Sequence, residues 1–296
     1  MNKNKIYLLE DRGIIYVSGK DAADFLQNII SNDIKKVNDT NSCFASLLTP
    51  QGKYLFDFIL VKHKNGFFLD CEKKIIDKLL QQLTLYKLRS NIKILNLSNE
   101  FVVGVISKDQ FLSFENAKDH EGCTIKFRED PIFLDPRLKD LGARIIINLE
   151  KLHLSTKQLN LKVSDSDIYY KLSYELGIQQ IDTTDLQDKL FGIECNFEEL
   201  NGIDFKKGCY VGQENTSRIK LKNKLSKRLL PIEIIDGKLS EDETIYCNNV
   251  DIGKVLINED YPFALIKYIN DNFNKNFIFK SKNATFKIFI PEWLKI

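Results

Sequence analysis

The octapeptide KGCYVGQE, residues 207–214, gathers a lysine, a thiol, two glycines and an amide–carboxylate pair in one short span. Each ordered glycine loses backbone entropy and buries nothing, so the segment reads as a built loop rather than as core. Asn-Gly and Lys-Gly turn signals precede it. Glu214 and Arg218 stand at i,i+4 spacing, which predicts a short helix opening just after Gly212. Cys209 then lies just upstream of a helix N-terminus with Lys207 two residues away, and both favour the thiolate, lowering the thiol from its free value of about 8.5. A nucleophile, a redox group and a transient metal ligand are all open to such a thiol. The competing reading is a small buried hydrophobe closing a turn, the commoner fate of a lone cysteine. The density of unusual residues around Cys209 favours the functional one.

Two carboxylates invite the same question. In GKYLFDFIL, strict strand alternation puts Leu55, Asp57, Ile59 and Val61 on one face and Tyr54, Phe56, Phe58 and Leu60 on the other. Asp57 therefore sits among apolar neighbours whichever face is buried, and a buried carboxylate needs loop amides, a cation or a ligand with N–H donors to stay ionised. In YELGIQQID, Glu175 is followed by Leu176 and by Gly177, which lets the backbone turn away. Its paired acceptor oxygens match a ligand edge with adjacent N–H donors, such as a pterin; the plainer reading is an exposed helix-end glutamate.

The elements that must position these groups form a mixed pattern. GIIYVSG reads as an opening strand, followed by a helix from Asp21 with Ala22, Phe25, Leu26, Ile29 and Ile30 on one stripe. SLLTPQGKYLFDFILVKH reads as two strands around a Pro-Gln-Gly turn. GFFLDC and a helix carrying Ile75, Ile76, Leu79, Leu80 and Leu83 follow, with further strands at FVVGVIS and ARIIINL. From about residue 229, LLPIEII, ETIYC, DIGKVLIN, FALIKYI, NFIFKS and TFKIFI predict a small antiparallel barrel or sandwich. The expectation is an α+β chain with one unit over 1–228 and a β-barrel-like unit over 229–296.

Composition narrows the function classes. With 43 basic and 41 acidic residues, the chain is no globally basic nucleic-acid binder. The segment Arg218 to Arg228 does hold six cations (Arg218, Lys220, Lys222, Lys224, Lys227 and Arg228), but no aromatic residue interleaves them, so direct RNA binding is not expected. No signal-like or membrane-spanning run is present, which makes a cytoplasmic protein without a membrane partner the default. Six cysteines and three histidines are dispersed without metal-ligand spacing, so no resident metal site is expected and free thiols in a reducing compartment fit best.

LNGIDFKKGCYVGQE resembles the signature of the YgfZ family, relatives of the glycine-cleavage T-protein and of mitochondrial iron–sulfur assembly factors. LEDRGIIYVSGKDAADFLQNIISNDI, SLLTPQGKYLFDFIL, LYKLRSNIKI, DPRLKDLGARIII and the closing PEWL resemble successive blocks of the same family, covering nearly the whole chain. The resemblance implies a T-protein-like ring: a bi-lobed, discontinuous folate-binding α+β module plus a C-terminal antiparallel β-barrel, with tetrahydrofolate or a one-carbon derivative bound centrally. It also implies iron–sulfur assembly proteins or client iron–sulfur enzymes as partners, including those that thiomethylate tRNA. Lys207, Gly208, Cys209, Tyr210, Gly212, Gln213 and Glu214 fall on the signature, with Cys209 and Lys207 as the reactive pair. Glu175 falls where T-proteins keep a pterin-binding glutamate.

T-proteins carry two adjacent aspartates where this chain has Phe56 and Asp57, which weakens a reading as an aminomethyl or methyl transferase. Two functions therefore stand side by side. One is a folate-dependent factor for iron–sulfur enzymes, with Asp57 and Glu175 holding the pterin and Lys207 and Cys209 forming a reactive corner at the same cavity. The other is a one-carbon transferase of T-protein type.

Overall fold

The structure is a computed structural model that describes residues 1–222, 225–267 and 278–295. Its first strand, β1 (Lys5–Leu9), precedes the glycine-bounded run expected to open the fold, which is β2 (Arg12–Ser18). KIYLL has only five residues, too few to show a clear period of its own, and its place comes from pairing. Next come α1 (Ala22–Ile29), β3 (Cys43–Leu48), β4 (Tyr54–His63), β5 (Gly66–Glu72), α2 (Ile76–Lys87) and β6 (Lys93–Asn96). Strands β2 to β6 form an antiparallel sheet in the order β3-β4-β5-β2-β6. Phe25, Leu26 and Ile29 of α1 pack on one of its faces with Ile76, Leu79 and Leu83 of α2.

The second half of the body contains β7 (Phe101–Ile106), α3 (Lys108–Leu112), β8 (Thr124–Phe127), β9 (Asp130–Leu134), β10 (Ala143–Asn148), α4 (Leu152–Gln158), β11 (Lys162–Ser164) and α5 (Asp167–Glu175). These strands recruit β1 into a second sheet ordered β11-β1-β7-β10-β9-β8, parallel only at β1 and β11. The first sheet is thus inserted between β1 and the strands that β1 joins.

A chain of buried charges ties the two sheets together. Arg12 on β2 donates to Asp70 on β5 at 2.7 Å, and Arg144 on β10 donates to the other Asp70 oxygen at 2.5 Å and to Asp135 at 3.2 Å. Arg137 closes the chain with two bonds to Asp135, at 2.9 and 2.7 Å. Desolvation works against every member, but each guanidinium faces carboxylates with satisfied geometry, which keeps Asp135 ionised and lowers its pKa.

After α6 (Gln213–Leu221), strands β12 (Lys227–Gly237), β13 (Thr244–Cys247), β14 (Val250–Ile257), β15 (Phe263–Lys267), β16 (Phe279–Lys280) and β17 (Ala284–Ile288) close an antiparallel barrel. The parts of FALIKYI and NFIFKS at residues 268–269 and 276–277, and Lys224 of the basic run, lie outside the described residues. Alternation divides the ladder between β12 and β15. Leu230, Ile232, Ala264 and Ile266 fill the barrel, while Leu229, Phe263 and Leu265 join the core of the body. At the C-terminal end, Trp293 Nε1 donates to the Leu176 carbonyl at 2.7 Å, and Tyr174 donates to the Ile232 carbonyl. Gly177, at φ 72°, admits Pro291 to this joint: a Cβ there would stand 2.2 Å from the proline ring.

Candidate thiol loop and central cavity

The loop that carries Cys209 is held from both sides. Upstream, the buried Lys207 ammonium donates to the carbonyls of Gln27 and Ile30 at 2.7 Å each and of Asn32 at 2.9 Å, satisfying acceptors at and just beyond the end of α1. Burial lowers the Lys207 pKa to about 8, with Asp33 and Asp204 opposing the drop. Its Nζ also lies 4.9 Å from the centre of the buried Tyr210 ring. Downstream, Gly212 sits at φ 85° as the residue before α6, and a Cβ there would meet the Thr49 carbonyl oxygen at 2.5 Å. Asn215 then donates to the Gln51 carbonyl at 3.0 Å, docking the start of α6 on the Pro-Gln-Gly turn. Gln213 opens α6 half-buried and Glu214 is exposed; among the described residues no ion pair joins Glu214 to Arg218.

Between these anchors the chain is open. Gly208 is exposed, with empty space where a side chain would stand, and Cys209 is exposed beside it. Of the six cysteines, all described, Cys209 alone is exposed; Cys247 is half-buried and Cys43, Cys71, Cys123 and Cys195 are buried. Burial pushes the Cys43 thiol up to about 12 and raises Cys71 and Cys195 as well, so these three are inert thiols at neutral pH.

The carboxylate at Asp57 belongs to a different place. The register of β3 against β4 slips between Leu47 and Leu48, which pair with Phe56 and Tyr54, so Leu55 is an extra residue in β4. This bulge overturns strict alternation and brings Tyr54 to the side of Asp57, where its hydroxyl donates to Asp57 Oδ1 at 2.6 Å. Burial and the adjacent Asp57 raise the Tyr54 pKa well above its usual value, so it stays a neutral donor. Asp57 Oδ2 accepts no hydrogen bond among the described residues.

Asp57 lines a narrow cavity of about 20 Å³ where the first sheet meets the barrel. Phe44, Phe197 and Phe263 give it aromatic walls, with Gln179 and Arg137 as further polar groups. Arg137 is fixed by Asp135, and its guanidinium lies 5.5 Å from the centre of the Phe44 ring. Gly177, Ile178 and Gln179 belong to the wall, but Glu175, two residues before it, is exposed at the end of α5 and does not line the cavity; nor does any residue of 207–214. The expected single corner is therefore two places, a thiol loop on α1 and the Thr49–Gly52 turn, and a cavity around Asp57.

Arg137 and Gln179 were not singled out from the sequence. Arg137 stands in DPRLKDLGAR, where an arginine two residues after an aspartate was the available signal; nothing local marks Gln179. The cations of the linker are partly spent: Lys220 pairs with Glu198, and Arg228 grips Glu199 through two bonds, one of 2.9 Å.

No family model matches the chain. Over 260 residues it is 28% identical to the mitochondrial iron–sulfur cluster assembly factor IBA57 homologue of Dictyostelium discoideum, covering 78% of this chain and 62% of that protein. The corresponding homologue of Pyricularia oryzae is 31% identical over 77% of this chain and 57% of its own length. The tRNA-modifying protein YgfZ of Buchnera aphidicola is 28% identical over 76% of this chain and 72% of its own. The chain is a homologue of the IBA57 and YgfZ proteins. It spans about three fifths of the first of these relatives. Its fold is that of the glycine cleavage system aminomethyltransferase T of Bartonella henselae, at a TM-score of 0.74 over 98% of this chain and 86% of that one, with 13% identity. The homology to IBA57 and YgfZ and the T-type architecture thus agree with the resemblance carried by KGCYVGQE.

Proposed function

We propose that this protein supports the assembly or maintenance of iron–sulfur enzymes, holding a reduced folate in the central cavity and presenting Cys209 to a client on a separate surface. The names of its relatives support the first part: they describe iron–sulfur cluster assembly factors and a tRNA-modifying protein. The residue types of the cavity suit a pterin, which would enter only as the aromatic walls part to widen the present space of about 20 Å³. Asp57 offers an unengaged oxygen to ring N–H groups, Gln179, whose Nε2 donates to the Ile181 carbonyl at 3.0 Å, offers its amide oxygen as an acceptor, and Phe44, Phe197 and Phe263 offer faces to a flat heterocycle. A bound tetrahydrofolate would serve as a carrier of one-carbon units. Tyr54 keeps Asp57 oriented, and Arg137, already paired, adds positive potential without needing the ligand for charge balance.

One observation carries this reading: a single exposed thiol on a loop anchored at both ends, while four other thiols are sealed in the core. A loop tethered through Lys207 and Gly212 presents Cys209 with little conformational freedom, which suits repeated engagement of a partner. In cells lacking such a factor, Cys209→Ala should fold and bind tetrahydrofolate like the parent protein yet fail to restore dependent iron–sulfur enzymes, while Cys247→Ala restores them. Full restoration by Cys209→Ala would remove the thiol from the function.

The hydrogen-bonded pair of Tyr54 and Asp57 in a T-type cavity also favours a second reading, one-carbon transfer, because a carboxylate beside folate amines is what that reaction uses. Incubation with tetrahydrofolate and an aminomethyl donor separates the two. Formation of methylenetetrahydrofolate supports the transferase, and binding without turnover supports the accessory factor.

A further inference from the structure

We propose that the free edge of β6, together with the turn that joins it to α2, is a docking surface for an extended acidic segment of a partner protein, which adds a strand to the first sheet. The surface shares no residue with the thiol loop or with the cavity around Asp57.

Leu88 is held in a costly conformation. It follows α2 at φ 44° and ψ −113°, and the Ser90 amide donates to the Lys87 carbonyl at 2.9 Å. Leu88 is therefore the first central residue of a type II′ turn, a position that glycine fills without strain and a residue with a Cβ does not. Its side chain is 87% exposed, so packing inside the molecule does not offset that cost. Leu85, three residues earlier on α2, is 64% exposed. A strained backbone that holds an apolar side chain out in water points to something that covers it.

The turn leads into an unpaired strand edge. β6 ends the order β3-β4-β5-β2-β6, whereas β3 at the other end is bridged at Leu47 by Ile30. The Leu97 amide donates to the Ile14 carbonyl at 2.8 Å, so by alternation Lys93 and Leu95 face β2 with their main-chain groups, while those of Ile94 and Asn96 point away from it. Such an edge is a template for an added strand. Ile94 lies on the side of α1 and α2, and Leu95, opposite Tyr16, is exposed on the other side.

Charge selects the occupant. Residues 84–96 hold Lys87, Arg89 and Lys93 and no carboxylate, and none of these cations forms an ion pair among the described residues. Asp21, which reaches the segment from the start of α1, accepts from the Asn91 amide at 2.7 Å. Cations along an edge oppose pairing with a second copy of the same edge and favour a strand that brings carboxylates. A nucleic acid or an anionic membrane would use the cations but leave the main-chain groups of Ile94 and Asn96 unpaired.

The test selects peptides of about ten residues from a random display library on the full chain, then measures the synthesised winners by fluorescence anisotropy on the parent, on Leu88→Gly and on Arg89→Glu/Lys93→Glu. All three side chains are exposed, so the variants should fold. The winners should carry carboxylates among alternating apolar residues, and each variant should weaken their binding about tenfold or more. Leu88→Gly should at the same time hold or raise the urea midpoint, because glycine suits the turn; a lower midpoint would make the leucine a structural residue and overturn its docking role. No enrichment, or peptides that all three proteins bind equally, overturns the proposal. So does binding to phosphatidylserine vesicles that Leu88→Gly abolishes, which assigns the surface to a membrane, or a dimer of the parent that the same variants dissolve, which assigns it to a second copy.

Discussion

The Lys207 ammonium donates to the Ile30 carbonyl at 2.7 Å, so the residue that closes α1 is tied to the loop that carries Cys209. This contact gives the lysine of KGCYVGQE an architectural task. It supplies a charge-assisted donor to acceptors at a helix C-terminus, where the macrodipole favours a cation. Cys209, two residues on, is left outside the joint.

Removing that donor strands three carbonyls, two of whose bonds are buried. Lys207→Met should lower stability by roughly 2–4 kcal/mol, read as a shift in the urea midpoint without a change in slope. A shift below about 1 kcal/mol would mean that water replaces the ammonium and that the tether is not structural.

The thiols should label in order of exposure. In native protein, iodoacetamide followed by mass spectrometry should modify Cys209 first and Cys247 more slowly, with Cys43, Cys71, Cys123 and Cys195 reacting only after denaturation. Early labelling of any buried thiol would show that its part of the core opens readily.

Arg144 is fully buried between Asp70 and Asp135, with Tyr169 and Gln180 as further partners at 3.1 and 3.0 Å. Arg144→Met should destabilise by about 3–5 kcal/mol, because it leaves two carboxylates short of a cation at the seam between the sheets. A thermal or urea transition unchanged within about 0.5 kcal/mol would contradict that role.

His63 provides a pH test. Buried and stacked on Phe68 at 4.2 Å, it is lowered from its ordinary 6.5 to about 4, chiefly by desolvation and then by Lys64. The unfolded chain binds more protons there between those values, so this contribution is intact above pH 6.5 and is lost as pH falls toward 4. His63→Phe should flatten the acid limb of the stability profile in that window by roughly 2–3 kcal/mol in total. An unchanged slope would place the acid sensitivity in the carboxylates instead.

Strands β2 to β5, β7 and β10, helices α1 and α2 and the barrel were legible because their periodicity is local; β6, β8, β9 and β11 are too short to show one. β1 was not, since KIYLL is a strand only by virtue of β7 and β11 beside it. The site was legible in its residue types more than in its arrangement. Cys209 and Asp57 stand out as a thiol among glycines and an acid among apolar residues. What each one faces is decided by long-range contacts: by the bulge at Leu55, which turns Tyr54 toward Asp57, and by α1, which draws Lys207 inward. Glu175 shows the same limit. A glutamate before a glycine marks a helix end, but the joint with Pro291 and Trp293 decides that the wall of the cavity is built from Gly177 to Gln179 instead.

The most direct test of the central claim is a calorimetric titration of the purified protein with tetrahydrofolate, run beside Asp57→Asn. The account predicts one saturable site in the parent and an affinity at least about tenfold weaker in the variant, since a charged acceptor to the pterin N–H groups is replaced by a neutral amide. No heat with the parent, or equal binding by the variant, would contradict it.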